Sequence, residues 1–558
     1  MIDLEIAART RPYVGIGGRL LHHWRLSLAC VFVLLIGLPT LIVPLYTDQA
    51  VFALGARTIL HGGFPYRDLW DVKPPGIYLV YLPAMLPFGS DTAGIRILDL
   101  ANTVLAMGAV YLLARRLFSE RAGIVAATLY GFAYVTRAGF DGLGQTESFL
   151  VLPLALALFL YPADDAYKGS RRAVESGVLL GLAFSIKFSA AFFVLALPAM
   201  ELLLAGGPWR LGPIVRRLSL AAVGFLAVVA AFAVYLALGG ALGDFIDIQR
   251  LHMRPYTMLH WSPDGESYLH FVGRVTNEYL KDNLFLTVPA GIAFFFALRG
   301  VRTRETLLGG LLVAAALAGV WVQGKLFPYH WLALLFPLAL LAGHAIDRTL
   351  ALYDATRPRV MRWGACGLVG AGLVVLTPSI VSGPAGQYRH FIGYIDGSYT
   401  SAENEAQFGS YFALLREAVD YMQTRQCPTA PKVNGAVDSN DLSEGVNRSA
   451  FFVWGNWPIL YWWREVSLPN RFVYDTPLTT EWAPEKWRNE LVDSLERMPP
   501  TYILVAGGGP QPWLTGTTAN AAENLEQYPR LLALIENRYV FVWGNDLFRI
   551  YEKTTRCP

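Results

Sequence analysis

The chain has 558 residues, 54% of them hydrophobic and 16% charged, with a formal net charge of +3. Soluble enzymes carry more charge than this, and so small a positive balance argues against nucleic acid as a partner; the composition is that of a polytopic membrane protein. The four cysteines form no CxxC and no zinc-ligand spacing, which argues against a metal–cysteine site.

Residues 1–26 form a basic N-terminal segment carrying Arg9, Arg11, Arg19 and Arg25. The apolar run at 27–46 is too long for the core of a signal peptide and lacks a small-residue cleavage site, so it reads as a retained helix. With it, about eleven runs approach the length a spanning helix needs. The others lie near 94–114, 122–136, 148–162, 174–190, 191–206, 218–239, 284–298, 306–322, 330–346 and 363–382.

Between the first two runs lies the loop 47–93. It holds Asp48, an apolar-periodic stretch from Ala50 to Leu60 stopped by His61-Gly62-Gly63, an aromatic turn, and Lys73-Pro74-Pro75. Residues 77–88 are apolar but too short to cross a membrane, and they include Pro83 and Pro87. Both stretches are expected as helices lying on the outer membrane surface. Counting 77–88 as a span would invert every later connection.

Compact basic clusters recur at alternate helix ends, among them Arg115, Arg116 and Arg121, then Arg216 and Arg217, then Arg299, Arg302 and Arg304. These connections read as cytoplasmic. The opposite set, 47–93, 137–147, 240–283 and 323–329, has sparse charge of mixed sign and reads as outward. The expected plan is a transmembrane module over 27–382 and an extracytoplasmic α/β domain over 383–558. In that domain SAFFVWGNWPILYWW, RFVYD, TYILVAGGG and YVFVWGNDLFRIYEK read as strands, and YFALLREAVDYMQTR and WRNELVDSLERM as helices. The Trp-rich segment reads as core rather than as a sugar platform. Cys427 and Cys557 are candidates for a disulfide in an oxidising compartment.

There is no Walker loop, no HExxH, no nucleophile elbow and no GxGxxG after a strand, so ATP-driven transport and zinc proteolysis lose their usual signatures. Chemistry is concentrated in ionisable residues at outward membrane edges: Asp48, Lys73, Glu147, Lys187, Arg250, Lys325, Tyr329 and His330. Such groups are costly at membrane depth and call for a partner or a task. Six of the eight have a structural alternative. Asp48 suits a helix N-cap, Lys73 and Lys187 can snorkel, Glu147 can pair with a cation, and Tyr329 and His330 suit an aromatic belt.

The order of these residues resembles the GT-C superfamily of polyprenyl-phosphate-sugar glycosyltransferases, in its protein-mannosyltransferase and aminoarabinose-transferase branch. The matching features are Asp48-Gln49 after the first helix, Gly62-Gly63, Lys73-Pro74, Glu147 in GQTESF, Lys187 in GLAFSIK, Ile248-Gln249-Arg250, and Lys325 with Tyr329 in QGKLFPYHW. They cover roughly residues 40–345. Two departures stand out: Gln49 replaces the second acid of the usual pair, and Val72 precedes Lys73 where an acid often stands, with Asp71 one residue away.

The resemblance implies a GT-C fold and an inverting transfer of sugar from a polyprenyl-phosphate donor to a cell-envelope glycan, lipid or protein. In that reading Asp48 is the base. Lys73, Arg250 and Lys325 bind the donor phosphate, and Glu147, Lys187, Tyr329 and His330 bind substrate. No metal ligand is assigned, and a divalent cation is left open as cofactor. The enzyme would sit in a bacterial inner membrane with its active site on the periplasmic side. The alternative is a transporter or flippase for a lipid-linked glycan, against which stands the missing inverted repeat.

Overall fold

The computed structural model describes residues 24–163, 169–204, 211–262, 264–356, 379–424, 451–466 and 468–554. The chain is mostly helical, with one small sheet near the C-terminus. Five helical segments among the described residues are long and apolar enough to cross a membrane: Trp24–Ile42, Thr92–Leu117, Leu211–Leu238, Thr303–Trp321 and Pro328–Ala351. The helices Tyr268–Asp282 and Leu284–Leu298 meet at a 96° bend and make a sixth if they form one broken span. Glu120–Arg137, Thr146–Leu160 and Gly169–Ile186 stand where the sequence suggests further spans. Each is shorter than the roughly 20 residues that cross a bilayer unaided. The suggested run at 363–382 lies largely outside the described residues.

The helices pack through small residues. Gly169–Ile186 lies against Leu211–Leu238, where a β-carbon on Gly177 would stand 1.9 Å from the Ala221 carbonyl oxygen and one on Gly224 2.2 Å from that of Val174. Between helices in lipid, such close backbone approach supplies the van der Waals contact that the hydrophobic effect supplies in water.

The loop 47–93 forms two helices, Thr47–Leu60 and Gly76–Phe88. The first ends where expected, with Gly62 in the left-handed region at φ 79°. Its setting differs from expectation. Gln49 through Ala56 are all buried, against Gly76–Phe88 on one side and Ile459–Arg464 on the other, so the helix is inside the protein rather than on a membrane surface. Its apolar periodicity matches a protein core as well as a lipid interface, and only the tertiary partners distinguish the two. Gly76–Phe88 does keep an open apolar face, with Leu79, Leu86 and Phe88 exposed.

The C-terminal region is α/β. Strands β1 (Phe451–Trp454), β2 (Tyr502–Ala506), β3 (Tyr539–Gly544) and β4 (Phe548–Lys553) lie in the order β1-β2-β4-β3. The β1–β2 pair is parallel, with Phe451 opposite Tyr502, and the other pairs are antiparallel. Tyr411–Thr424 and Glu485–Arg497 are helical as the sequence suggests. RFVYD is not a strand: Arg471 and Tyr474 turn toward the first loop instead. The second half of the Trp-rich segment is also not a strand but the helix Ile459–Arg464, with Trp454 and Trp462 buried. The helix Ser379–Ile395 runs across the expected boundary at 383. Cys427 and Cys557 lie outside the described residues.

One hydrophobic core joins the first loop to the C-terminal region. Trp70 meets Trp487, His252 and Tyr474 edge to face at centroid distances of 5.5, 4.9 and 5.8 Å. Its amide donates to the Arg471 carbonyl at 2.7 Å. The Arg471 guanidinium reaches the Tyr66 carbonyl at 2.9 Å, Asp244 at 2.6 Å and Glu490 at 2.7 Å.

Candidate active site

A cavity of about 390 Å³ lies where the first loop, the outward connections and the C-terminal region meet. Asp48, Asp71, Lys73, His252, Tyr256 and Tyr329 line it from the membrane module, and Tyr474, Thr476, Gln511 and Trp513 from the C-terminal region. The polar groups are few and converge inside a mostly apolar wall, as in small-molecule sites.

Asp48 sits in the first turn of Thr47–Leu60, where a helix N-terminus favours negative charge. It is not the N-cap. That position belongs to Tyr46, whose amide donates to Gln49 Oε1 at 2.9 Å. The Asp48 carboxylate instead accepts from Lys73 Nζ at 3.0 Å, with both side chains partly open to the cavity. Burial pushes Asp48 up, but the charge and hydrogen bond of Lys73, with Tyr329 and Lys187 behind it, hold it below the usual carboxylate range. Burial likewise works against the Lys73 charge, and Asp48, Asp71 and Glu147 overcome it and push Lys73 above the ordinary lysine value.

Lys73 is held from two sides. Its carbonyl accepts from the Tyr66 hydroxyl at 2.7 Å, and its ammonium lies over the rings of Phe52 and Tyr329 at 5.8 and 5.6 Å. Asp71 is buried nearby. It accepts from the Val72 amide at 2.7 Å, from Tyr78 at 2.8 Å and, weakly, from Tyr474 at 3.4 Å. Burial pushes it up to about 6, partly offset by Lys73.

Tyr329 links this pair to a second one. Lys187 lies 5.8 Å over the same ring and is ion-paired with Glu147. Lys187 stands at the break between Gly169–Ile186 and the 3-10 turn Phe188–Leu195. Glu147 opens Thr146–Leu160, and its other oxygen accepts from Thr146 at 2.7 Å. His330 is buried edge-on to Tyr329 at 4.7 Å. Four expected residues, Asp48, Lys73, Lys187 and Glu147, are thus gathered as two ion pairs about Tyr329.

Lys325 is close but set back. Its ammonium donates to the Leu259 carbonyl at 2.8 Å and lies 4.5 Å over Tyr256, whose ring lines the cavity. Burial pushes Lys325 down to about 8. Arg250 is exposed and does not line the cavity. The π-helical turn Ile248–Met253 presents its neighbours instead: Gln249 donates to the Val72 carbonyl at 3.1 Å, and His252 is buried against the cavity.

The replacement of an acid by Gln49 has a local reason. Its Oε1 accepts from Tyr46 and Arg96, and its Nε2 donates to the carbonyls of Phe140 and Asp141. A carboxylate could not make the last two bonds. Among the described residues no group of three or more His, Cys, Asp or Glu side chains is placed to hold a metal ion.

The residues that sequence reasoning missed are Tyr256 and, above all, the C-terminal ones, among them Tyr474, Thr476, Gln511 and Trp513. The C-terminal ones carry no motif and lie more than 400 residues from Asp48, so nothing local marks them.

Residues 72–237 match the family described as dolichyl-phosphate-mannose-protein mannosyltransferase. The chain is 30% identical over 322 residues to the undecaprenyl phosphate-alpha-4-amino-4-deoxy-L-arabinose arabinosyl transferase of Pseudomonas aeruginosa strain UCBPP-PA14, covering 54% of each chain. It is 28% identical over 323 residues to the protein of that name from Pseudomonas paraeruginosa. The chain thus spans about half the length of these curated relatives. Among solved structures, ArnT from Cupriavidus metallidurans in the apo state superposes with a TM-score of 0.57 at 14% identity, covering 95% of this chain and 98% of that one. ArnT bound to undecaprenyl phosphate superposes with a TM-score of 0.53 at 15% identity, covering 96% and 98%. The chain therefore has the helical membrane fold of ArnT. The resemblance drawn from the motifs holds in sequence over half the chain and in fold over nearly all of it.

Proposed function

We propose that this protein is an integral membrane glycosyltransferase that moves a sugar from a polyprenyl-phosphate donor to a cell-envelope acceptor. The observation that carries the proposal is the Asp48–Lys73 pair, 3.0 Å apart and open to a cavity of about 390 Å³. One carboxylate and one ammonium at the same spot suit the two charges that develop in such a transfer. The acceptor hydroxyl loses a proton and attacks the anomeric carbon. The bond from that carbon to the phosphate oxygen breaks, and the lipid phosphate leaves with the electron pair.

In this reading Asp48 takes the proton. Lys73 stabilises the departing phosphate by a charge-assisted hydrogen bond in a site shielded from bulk water. An arriving phosphate competes for the Lys73 ammonium, which loosens its hold on Asp48 and frees the carboxylate to accept. Lys325 supplies a second positive group behind Tyr256, and Arg250, exposed on the same turn as His252, is the third expected cation. Tyr329 forms part of the wall against which the sugar lies, and the Lys187–Glu147 pair and His330 hold its ring from behind. Attack from the face opposite the phosphate inverts the anomeric centre. The similarity to ArnT and to the arabinosyl transferases supports undecaprenyl phosphate as the lipid of the donor. The basic clusters at alternate helix ends, which leave the connections around this cavity sparse in charge, favour an active site on the outer face of a bacterial inner membrane.

The decisive measurement is transfer of labelled sugar from undecaprenyl-phosphate donors to an envelope extract. Asp48→Asn is expected to lower turnover by about 100-fold or more while leaving donor binding near wild type. Undiminished transfer in that variant removes Asp48 from the mechanism.

A further inference from the structure

A second cavity of about 110 Å³ opens in the C-terminal region, at the carboxyl ends of the parallel strands β1 and β2. In sheets with parallel strands, ligands gather at this end, because the chain leaves the strands there in loops that can carry side chains. The walls are Gly455 and Trp457 after β1, the Gly508-Gly509-Pro510 loop after β2, and the polar side chains of Asp475, Thr476, Thr479 and Asn524. All four of these polar residues are at least nine-tenths buried.

One of its groups has no hydrogen-bond partner within the protein, and a second has no counter-charge. Asn456 Oδ1 is buried with no hydrogen-bond partner, although its Nδ2 donates to Gln511 Oε1 at 3.3 Å. Asp475 is 8% exposed, and among the described residues no cation pairs with its carboxyl. A buried carboxyl and a buried amide oxygen facing one cavity are costly unless something polar completes them. No lysine, arginine or histidine lines the cavity, so it does not suit a phosphate or another anion. Asn456, Thr476 and Gln511 line both this crevice and the cavity that contains Asp48 and Lys73.

We propose that this crevice is an acceptor subsite, which binds a neutral, hydroxyl-rich sugar unit of the molecule that receives the transferred group. The assignment to the acceptor rests on the transferase reading above. Sugar hydroxyls both donate and accept, which matches a lining of amide, hydroxyl and carboxyl groups without fixed positive charge. A molecule seated here extends toward Asp48 along Asn456, Thr476 and Gln511, while the cationic cavity remains for the donor phosphate. Burial pushes Asp475 up to about 7, so near neutrality its carboxyl carries a proton for part of the time and can donate as well as accept.

The test uses the full chain in detergent and saturation-transfer NMR with methyl α-mannopyranoside, methyl β-glucopyranoside and methyl β-arabinopyranoside as probes. At least one probe is expected to give a saturable signal. Its affinity should fall about tenfold in Asp475→Leu and in Gly509→Trp, and stay unchanged in Lys73→Met. The Gly509 substitution guards against misfolding, because a β-carbon there meets nothing within 4 Å and its backbone is not in the left-handed region. The absence of a saturable signal from all three probes, its survival in Gly509→Trp, or its loss in Lys73→Met would overturn the subsite. The same preparations are assayed for donor turnover against an envelope extract. Turnover without glycoside binding sinks the crevice alone. Glycoside binding without turnover of any lipid-linked sugar sinks the transferase reading and the acceptor role with it.

Discussion

Gln49 uses all four of its hydrogen-bonding positions inside the protein, two as acceptor and two as donor. Gln49→Glu removes both donors and turns a carboxylate toward two carbonyl oxygens. We expect a loss of about 1–3 kcal/mol, read as a lower midpoint in detergent thermal melting, although the position beside Asp48 would then carry the more usual acid. Asp71 provides a pH test. Burial raises it from 3.8 in the unfolded chain to about 6. Its neutral form therefore favours the fold, and that contribution is complete below pH about 4 and fades as pH rises through about 6. Asp71→Asn should flatten this part of the stability profile, and an unchanged slope between pH 4 and 7 would remove Asp71 as its source. At this scale the sequence was informative where a residue type is chemically unusual for its setting. Asp48, Lys73, Glu147 and Lys187 stood out because charge at a membrane edge needs a reason. Asp475 and Asn456 did not, because in a polar domain such residues are ordinary.

At the scale of elements, the contact between Gly169–Ile186 and Leu211–Leu238 depends on glycine at the points of closest approach. Gly177→Leu would place a side chain where the Ala221 backbone already stands. It should separate the helices and cost about 3 kcal/mol or more, visible as a lower melting temperature and earlier aggregation in detergent. The same separation would shift Lys187, which lies one residue beyond the first of these helices, so turnover should fall with stability. One helix end was readable, the Gly62 stop after Thr47–Leu60, whereas the Asp91 cap of Thr92–Leu117, which accepts from Ala93 at 2.8 Å, was not singled out. Span length was less readable. Local hydropathy does not show that the chain breaks into a 3-10 turn at Lys187 without loss of the apolar run.

For the whole molecule, the candidate site exists only because the C-terminal region closes over the first loop. Arg471 is the main polar link, bonding to the Tyr66 carbonyl and pairing with Asp244 and Glu490. It is itself buried, whereas its two acids are partly exposed, so the pairing is worth less than in a fully enclosed pair. Arg471→Ala is expected to cost about 2 kcal/mol and to loosen the joint. Limited proteolysis should then cut between the two parts faster, and donor turnover should drop even though no group touching the substrate has been altered. Wild-type proteolysis rates and turnover in that variant would show that the joint does not depend on Arg471.

By itself the sequence determined the class of molecule and the order of its main helices, and it singled out the four charged residues that the fold gathers about Tyr329. Those properties follow from local signals: apolar run length, basic clusters at helix ends, and rare charges in hydrocarbon. The burial of Thr47–Leu60, the outward turn of Arg250, and the entry of Tyr474, Thr476, Gln511 and Trp513 into the cavity were decided by tertiary structure alone. Each depends on contacts between segments hundreds of residues apart, for which a linear pattern has no counterpart.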